Sequence, residues 1–255
     1  MITSRCPLCG NDKLTEWRTF DCRRNADYNP GFPPIKTWLL CEPCHHLVAK
    51  FVPDNLDKIL NDNPDKQYEK PNVQRATHIF PDTIERIAHF RPPRYYDTRP
   101  SARLLDVGCG GGELSLVAEE WGYVVTAIDI REKYVETARA LGINAHVSSV
   151  KGFDTGSYDV ICAGDVLEHL ADPMELFKMF DRVLAPAGVI WLSTPNWDGA
   201  VSRLLGDEDA MKSVAEHINY FSRRSLSALI KREGYDILDY RTSRHYFGCM
   251  EVIFQ

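Results

Sequence analysis

The stretch LLDVGCGGGEL, residues 104–114, decides the fold of this chain. It joins an apolar strand that ends in an acid, Asp106, to three glycines at every second position: Gly108, Gly110 and Gly112. Glycine lets the backbone turn tightly and approach a ligand where a Cβ would clash. Helix amides that begin near residue 111 add hydrogen-bond donors and a partial positive charge. The stretch therefore predicts a strand, a ligand-binding turn and a helix.

An acid also closes the next apolar run. Asp129 ends VVTAID, residues 124–129, and lies 23 residues after Asp106. In nucleotide-binding α/β units, an acid at this place meets the vicinal hydroxyls of a ribose. A dinucleotide site has the pattern Gly-x-Gly-x-x-Gly, whereas Asp106 directly precedes this turn and would repel a pyrophosphate but attract a cation. The two acids predict a pocket for a nucleoside cofactor that carries a positive charge.

The run from Asp106 to Gly112 resembles motif I of the class I S-adenosylmethionine-dependent methyltransferases, and Asp129 matches their ribose-binding acid. The resemblance implies that S-adenosylmethionine is the cofactor and that the protein is a methyltransferase. It implies that the cofactor contacts are Asp106, Gly108, Gly110, Gly112, Asp129, Ile130, Phe153 and Asp165. The ring of Phe153 is expected to cover the adenine, and a place in the apolar core is the alternative for this residue.

Strand and helix patterns alternate after residue 102, which predicts a parallel sheet flanked by helices. Predicted strands cover residues 103–107, 124–129, 144–148, 158–163, 188–194, 236–241 and 249–254. Predicted helices cover residues 111–121, 132–141, 173–185 and 222–233. The order resembles the Rossmann-like α/β fold of the class I methyltransferases, in which a mostly parallel sheet finishes with an antiparallel hairpin.

Two Cys-x-x-Cys pairs stand near the start of the chain, which has eight cysteines. They are Cys6 with Cys9 and Cys41 with Cys44. Four thiolates from two such pairs can converge tetrahedrally on zinc, so the sequence predicts a small N-terminal zinc ribbon. The 31 residues between the pairs exceed the usual spacing and predict a long insertion. Four reduced thiols or a redox pair are the alternatives.

The chain is predicted to have three parts. Residues 1–52 form a zinc-ribbon-like module, residues 53–101 a helical linker or lid, and residues 102–255 the S-adenosylmethionine-binding domain. One helix is expected over residues 72–90. Tyr68, His78 and Phe80 are candidates for a lid over the cofactor, or for simple packing.

The composition of the chain limits the size of its core and the kinds of partner that it can bind. With 255 residues, 44% of them apolar, the chain can bury one sizeable core and a small appendage. It has no apolar run of membrane-spanning length and no signal-peptide pattern, so a cytoplasmic protein without a membrane partner is expected. A net charge of -6 argues against a surface that wraps nucleic acid and favours a small-molecule acceptor. The zinc module is expected to complete the acceptor pocket, to mediate a homodimer or to hold a protein partner.

Two histidine motifs carry the predicted chemistry. The segment DVLEHLADP, residues 165–173, and the segment EHINYFS, residues 216–222, resemble the branch that contains ubiquinone-biosynthesis O-methyltransferases and sugar methyltransferases. His169 and His217 are the predicted catalytic residues, because an alcohol that attacks a sulfonium methyl group must lose its proton. For both histidines, a structural role is the alternative.

The same histidines form part of a possible second metal site. Asp165, Glu168, His169 and His217 are similar to the Glu-x-x-Glu-His and distal His ligands of the small-RNA 3′-terminal 2′-O-methyltransferases. A divalent cation held there would lower the pKa of a bound hydroxyl. Asp165 replaces a glutamate of that pattern and shortens one ligand by a methylene.

The predicted function is O-methylation of a small metabolite or sugar, with S-adenosylmethionine as donor and histidine-assisted deprotonation of the acceptor. Nitrogen and carbon acceptors stay open. An RNA or protein methyltransferase that docks its substrate on the zinc ribbon is one alternative, and a non-catalytic cofactor-binding module is another. A nicotinamide oxidoreductase is a third.

Overall fold

A computed structural model describes residues 1–62, 72–93, 101–244 and 248–255. The strands are β1 (Thr15–Asp21), β2 (Ile35–Cys41), β3 (His46–Ala49), β4 (Arg103–Val107), β5 (Val124–Asp129), β6 (Ala145–Val147), β7 (Tyr158–Gly164), β8 (Leu184–Pro195), β9 (Asn219–Tyr220), β10 (Ile237–Thr242) and β11 (Cys249–Phe254). The helices are α1 (Leu56–Asn61), α2 (Val73–His78), α3 (Phe80–Phe90), α4 (Glu113–Glu120), α5 (Glu132–Ala140), α6 (Met174–Val183), α7 (Ala200–Leu205) and α8 (Arg223–Arg232). Among these described helices, none is long and apolar enough to cross a membrane.

The strands form two sheets. One has four strands in the order β1-β2-β3-β9, and the other has seven in the order β10-β11-β8-β7-β4-β5-β6. The larger sheet is mostly parallel with antiparallel C-terminal strands, and β4 lies between β5 and β7 in parallel register. The predicted α/β fold class is therefore confirmed, and an N-terminal antiparallel sheet with a cluster of four cysteines lies where the zinc ribbon was predicted.

The chain divides into two compact units. The first comprises residues 1–63, 165–174 and 193–251, and the second comprises residues 64–164, 175–192 and 252–255. The second unit has an apolar core in which Leu104, Val125 and Val160 from three adjacent strands pack with helix α3 through Ile84 and Ile87. Burial of these aliphatic side chains stabilises the register of β4 and β5, in which Asp106 lies opposite Ala127, two residues before Asp129.

The N-terminal sheet of the first unit includes a strand from far along the chain. Strands β1, β2 and β3 form an antiparallel meander, and β9 pairs with β3 through Leu47 opposite Tyr220 and Val48 opposite Asn219. Trp38, Leu47, Ala49, Trp197 and Tyr220 are the buried residues of the cluster that packs on it. Residues 1–52 thus share their sheet and their apolar cluster with residues beyond 196.

The single helix predicted over residues 72–90 is wrong in detail, because the structure has α2 and α3 with a break at Ile79. Pro81 lies in the first turn of α3. Its nitrogen carries no hydrogen to donate to the carbonyl of Thr77, four residues earlier, so a continuous helix would lose that bond, whereas Pro is tolerated in the first turn of a new helix. His78 ends α2, while Phe80 is buried in the core of the second unit. Tyr68 and most of the predicted linker after residue 93 lie outside the described residues.

Candidate functional site

The glycine turn lies between β4 and α4 in the second unit. Gly108, Gly110 and Gly112 have φ values of 70°, 53° and 89°, a region that L-residues with a Cβ rarely adopt. A Cβ on Gly112 would also lie 2.5 Å from the Cδ1 atom of Ile143. Helix α4 therefore begins at Glu113, two residues later than predicted, because left-handed Gly112 precedes it.

Asp129 ends β5 and braces this turn. One carboxylate oxygen accepts the backbone N–H of Gly110 at 3.1 Å, and the other accepts the N–H of Arg131 at 2.9 Å. The side chain is buried, and burial raises its pKa. Each carboxylate oxygen has a second lone pair, so Asp129 can still accept the hydroxyls of a ribose.

Asp106 lies buried one step before the turn. Its Oδ2 atom accepts the Ser115 hydroxyl at 2.7 Å, and burial raises the pKa of Asp106 to about 7. The carboxylates of Glu113 and Asp129 raise it further. A cationic ligand group beside Asp106 would favour the ionised form of this carboxyl.

We therefore expect the affinity for S-adenosylmethionine to rise as the pH increases from 6 to 8. The unliganded Asp106 has a raised pKa of about 7, so binding of the donor's ammonium group to the carboxylate requires loss of a proton below that pH. The affinity should change by up to about tenfold per pH unit below 7 and level off above it. Calorimetric titration at several pH values measures this dependence. Asp106→Asn should bind more weakly with a flat profile, and an equally steep profile in that variant would contradict the assignment.

Three other predicted cofactor residues, Ile130, Phe153 and Asp165, follow strands β5, β6 and β7 of the larger sheet. Ile130 directly follows β5 and is partly exposed. Phe153 is buried and lines a groove of about 420 Å³ together with Thr126 and His146. Asp165 directly follows β7 with a positive φ of 54°, and its Oδ1 atom accepts the Ser193 hydroxyl at 2.8 Å.

His169 and His217 are brought together in the first unit. Their ring centroids lie 5.0 Å apart with the rings at 73°. The Nδ1 atom of His169 lies 3.2 Å from the carbonyl oxygen of Glu216, and because a carbonyl oxygen only accepts, the neutral ring carries its proton on Nδ1. Burial lowers the pKa of His217 well below its usual value, and the charge of a protonated His169 lowers it further.

Glu168 completes a cluster with the two histidines. One ligand atom from each of the three residues lies within 4.8 Å of the others. The Oε2 atom of Glu168 accepts the Thr194 hydroxyl at 3.0 Å, and burial raises the pKa of Glu168 well above its usual range. Within the described residues, Oε1 of Glu168 and Nδ1 of His217 are buried without a hydrogen-bond partner. Asp165, the fourth predicted ligand, is not part of this cluster.

The four cysteines of the two pairs converge as predicted. The Sγ atoms of Cys6, Cys9, Cys41 and Cys44 all lie within 4.8 Å of one another. Those of Cys9 and Cys41 are 3.7 Å apart, and zinc bonds of about 2.3 Å in a tetrahedron require about 3.8 Å. The donor set and its spacing therefore fit a zinc ion.

The two pairs also share one backbone geometry. The N–H of the residue after each pair bonds back to the carbonyl of its first cysteine, Gly10 to Cys6 at 2.9 Å and His45 to Cys41 at 2.8 Å. Gly10 and His45 have φ values of 73° and 57°. These matched turns orient both pairs toward one centre, although a histidine occupies a position that favours glycine.

Sequence reasoning missed several polar residues near the histidines. Ser193 and Thr194 directly precede Pro195, the last residue of β8, and donate their hydroxyls to Asp165 and Glu168. Their position near a strand end was the available signal. The Oδ1 atom of Asn219 accepts a hydrogen bond from Nε2 of His46 at 3.0 Å, and its amide nitrogen donates to the Leu170 carbonyl at 2.6 Å. The N–H of Ile218 donates to the Glu168 carbonyl at 2.7 Å. These bonds join the two histidine segments.

Fold and site together define a class I S-adenosylmethionine-dependent methyltransferase domain. Residues 45–240, more than half of the chain, match the family described as "Methyltransferase domain", and the chain belongs to this family. The match begins directly after Cys44, so the cysteine pairs precede the part that is typical of the family. S-adenosylmethionine is the cosubstrate of this class.

Curated relatives match a shorter stretch. The chain is 40% identical over 104 residues to a ubiquinone biosynthesis O-methyltransferase of Xanthomonas oryzae, covering 37% of this chain and 44% of that protein. It is 37% identical over 102 residues to the protein of the same name from Caulobacter vibrioides, covering 36% of this chain and 40% of that one. The chain thus spans less than half of the length of these relatives.

Solved structures extend the likeness in fold. Magnesium protoporphyrin IX methyltransferase from Synechocystis, with bound S-adenosylhomocysteine, has a TM-score of 0.56 and 16% identity, covering 78% of this chain and 98% of that one. The cyclase SpnF has a TM-score of 0.50 and 14% identity, covering 69% of this chain and 80% of that one. A methyltransferase and a cyclase thus share the fold, which by itself does not determine the reaction.

Proposed function

We propose that the protein transfers the methyl group of S-adenosylmethionine to a hydroxyl of a small metabolite or sugar, and that His169 accepts the hydroxyl proton. The observation that carries the proposal is the 3.2 Å contact of His169 Nδ1 with the Glu216 carbonyl, which favours the tautomer with its proton on Nδ1 and so makes Nε2 the basic nitrogen of the ring. The relatives in ubiquinone biosynthesis bear the name O-methyltransferase, which supports an oxygen acceptor.

The proposed reaction needs only the acceptor hydroxyl, the methyl donor and the His169 imidazole. The acceptor oxygen attacks the methyl carbon as its proton moves to Nε2 of His169, and the carbon–sulfur bond breaks with its electron pair on sulfur. The products are the methyl ether, S-adenosylhomocysteine and a protonated His169. His217, kept neutral by burial, lies beside the new imidazolium and can stabilise it through its own lone pair.

The first test is transfer of labelled methyl from S-adenosylmethionine into an extract of the host, separated into small-molecule and macromolecular fractions. Label in the small-molecule fraction is expected, and the labelled product can then be isolated. Label in RNA or protein alone would overturn the choice of acceptor and favour a docking role for the four-cysteine module. Absence of label in both fractions, with S-adenosylhomocysteine binding confirmed, would favour a non-catalytic cofactor-binding module.

We expect His169→Gln to lower the rate of methyl transfer by about 100-fold to 1,000-fold, because general base catalysis contributes about 10² to 10⁴. The affinity for S-adenosylhomocysteine should stay unchanged, since the glycine turn and its acids are intact. Initial rates with the isolated acceptor and calorimetry measure both quantities.

The matched control for that variant is His89→Gln, which changes an exposed histidine on α3. It should retain the wild-type rate of methyl transfer and the wild-type affinity for S-adenosylhomocysteine. A His169→Gln protein with the wild-type rate would show that this histidine has a structural role.

A divalent cation at Glu168, His169 and His217 is a second candidate, favoured by the two buried atoms without a partner. One carboxylate and two imidazoles suit zinc, iron or manganese. A bound cation would lower the pKa of an acceptor hydroxyl, and His169 would then be a ligand rather than the base. Chelation followed by re-addition of single metals distinguishes the cation mechanism from His169 as the base. With the four-cysteine site kept loaded, only the cation mechanism predicts a rate of methyl transfer that depends on the added metal.

We also propose that Cys6, Cys9, Cys41 and Cys44 bind a structural zinc ion. Four thiolates fill the tetrahedron, so this ion would have no open position for a substrate. The ion is expected to hold the end of β2 next to the start of β3, because Cys41 is the last residue of β2 and Cys44 lies two residues before β3.

A further inference from the structure

The 31-residue insertion between the cysteine pairs lies against the segment that carries His217. Three polar side chains of the insertion are buried and donate hydrogen bonds to this segment: Asn29, Lys36 and Trp38. Zinc binding requires none of them, since the four cysteines complete the ligand set. The insertion therefore needs a separate explanation.

Lys36 makes the central contact. Its ammonium group donates to the carbonyl of His217 at 2.7 Å and to the carbonyl of Val214. These residues are the two ends of a turn, because the N–H of His217 donates to the carbonyl of Val214. It also lies 4.9 Å from the centre of the Trp38 ring. Burial of an ammonium group costs free energy unless the group is well paired. The two carbonyls and the ring are therefore expected to keep the Lys36 side chain, and the turn that it contacts, in one conformation.

Two further residues of the insertion donate hydrogen bonds to the segment around this turn. The side-chain amide of Asn29 donates to a carboxylate oxygen of Glu216 at 3.2 Å, and the indole N–H of Trp38 donates to the carbonyl of Lys212 at 2.9 Å. Glu216 is the residue whose carbonyl accepts Nδ1 of His169. The insertion thus fixes the backbone on which both histidines depend.

We propose that the insertion, residues 10–40, is a clamp that positions His217 and the Glu216 carbonyl, with Lys36 as its main positioning residue. The proposal rests on the proposed function for its effect on catalysis. In this proposal the N-terminal module maintains the geometry of the histidine pair. The length of the insertion then needs no macromolecular partner to explain it.

The test compares three variants of the full chain. Lys36→Met keeps the apolar stem and removes the donors, Lys36→Arg keeps the charge and donors, and Lys50→Met is the control because Lys50 is exposed on the same module. Hydrogen exchange of peptides over residues 212–220 should be about tenfold faster in Lys36→Met. Peptides over residues 104–114 should be unchanged, Lys36→Arg should recover most of the protection, and Lys50→Met should match the wild type.

The second measurement is the rate of methyl transfer to the isolated acceptor. Lys36→Met should lower kcat by about tenfold or more with an unchanged KM for S-adenosylmethionine, and Lys36→Arg should restore much of it. If Lys36→Met fails to fold, Asn29→Ala is expected to raise exchange over residues 212–220 to a smaller degree.

Unchanged exchange over residues 212–220 in a folded Lys36→Met protein would overturn the clamp, as would equal acceleration throughout residues 1–62. If the wild type methylates nothing, the proposed function fails on its own. The exchange experiment still decides whether the clamp exists, because it needs no acceptor.

Discussion

Replacement of Asp129 by alanine is expected to weaken S-adenosylhomocysteine binding by about 100-fold or more. The carboxylate is predicted to accept two ribose hydroxyls, and hydrogen bonds to a charged group contribute about 1.5–3 kcal/mol each. The same side chain holds the N–H groups of Gly110 and Arg131, so the variant also loosens the glycine turn. Isothermal calorimetry with S-adenosylhomocysteine measures the loss directly.

Two further variants separate these contributions. Asp129→Asn keeps an oxygen acceptor for the turn but removes the charge, and it should fall between alanine and the wild type. Glu132→Gln removes an exposed carboxylate from the first turn of α5 and should bind like the wild type. Wild-type affinity in Asp129→Ala would show that this acid does not contact the cofactor.

The second large effect is expected from Cys41→Ser, which should abolish stoichiometric zinc binding and destabilise the N-terminal sheet. Cys41 is fully buried at the end of β2, and a structural zinc site contributes directly to folding free energy. The apparent unfolding temperature should fall by about 10 °C or more, since each kcal/mol shifts it by about 2–4 °C in a chain of this size. Zinc content by mass spectrometry and thermal unfolding provide the two readouts.

Cys22→Ser is the matched control. Cys22 is equally buried in the same module but lies outside the cluster, so its variant should keep one zinc per chain while losing some stability. A Cys41→Ser protein with full zinc content would exclude the proposed ligand set. A wild-type protein that never acquires zinc would do the same.

The second unit was largely predictable because its signals are local. An apolar run predicts each strand, an acid or a glycine marks the carboxyl ends of β4, β5 and β7, and the order of strands and helices restricts the topology. Strand β5 ends at Asp129 as predicted, and β4 covers residues 103–107. Helix ends were less accurate. Gly112 adopts a left-handed conformation that delays α4, and Pro81 divides the helix expected over residues 72–90.

The first unit depended on contacts between distant residues. Periodicity does not show that β9 pairs with β3, because two residues are too short to carry a strand pattern. The partnership of Lys36 with the His217 turn joins positions about 180 residues apart in the chain, and no motif marks it. Similarly, the tautomer of His169 depends on the Glu216 carbonyl, a backbone atom whose place no sequence motif specifies.

The sequence by itself determined the cofactor class and the candidate zinc ligands, because a glycine turn, a strand-end acid and paired cysteines are short motifs whose chemistry lies in neighbouring residues. The tertiary structure alone decided what surrounds the histidines. It excluded Asp165 from the cluster of Glu168, His169 and His217, left two of that cluster's ligand atoms buried without a partner among the described residues, and placed the insertion against the His217 turn. Burial and hydrogen bonding between distant segments arise only when the chain has folded, so these features have no local signature.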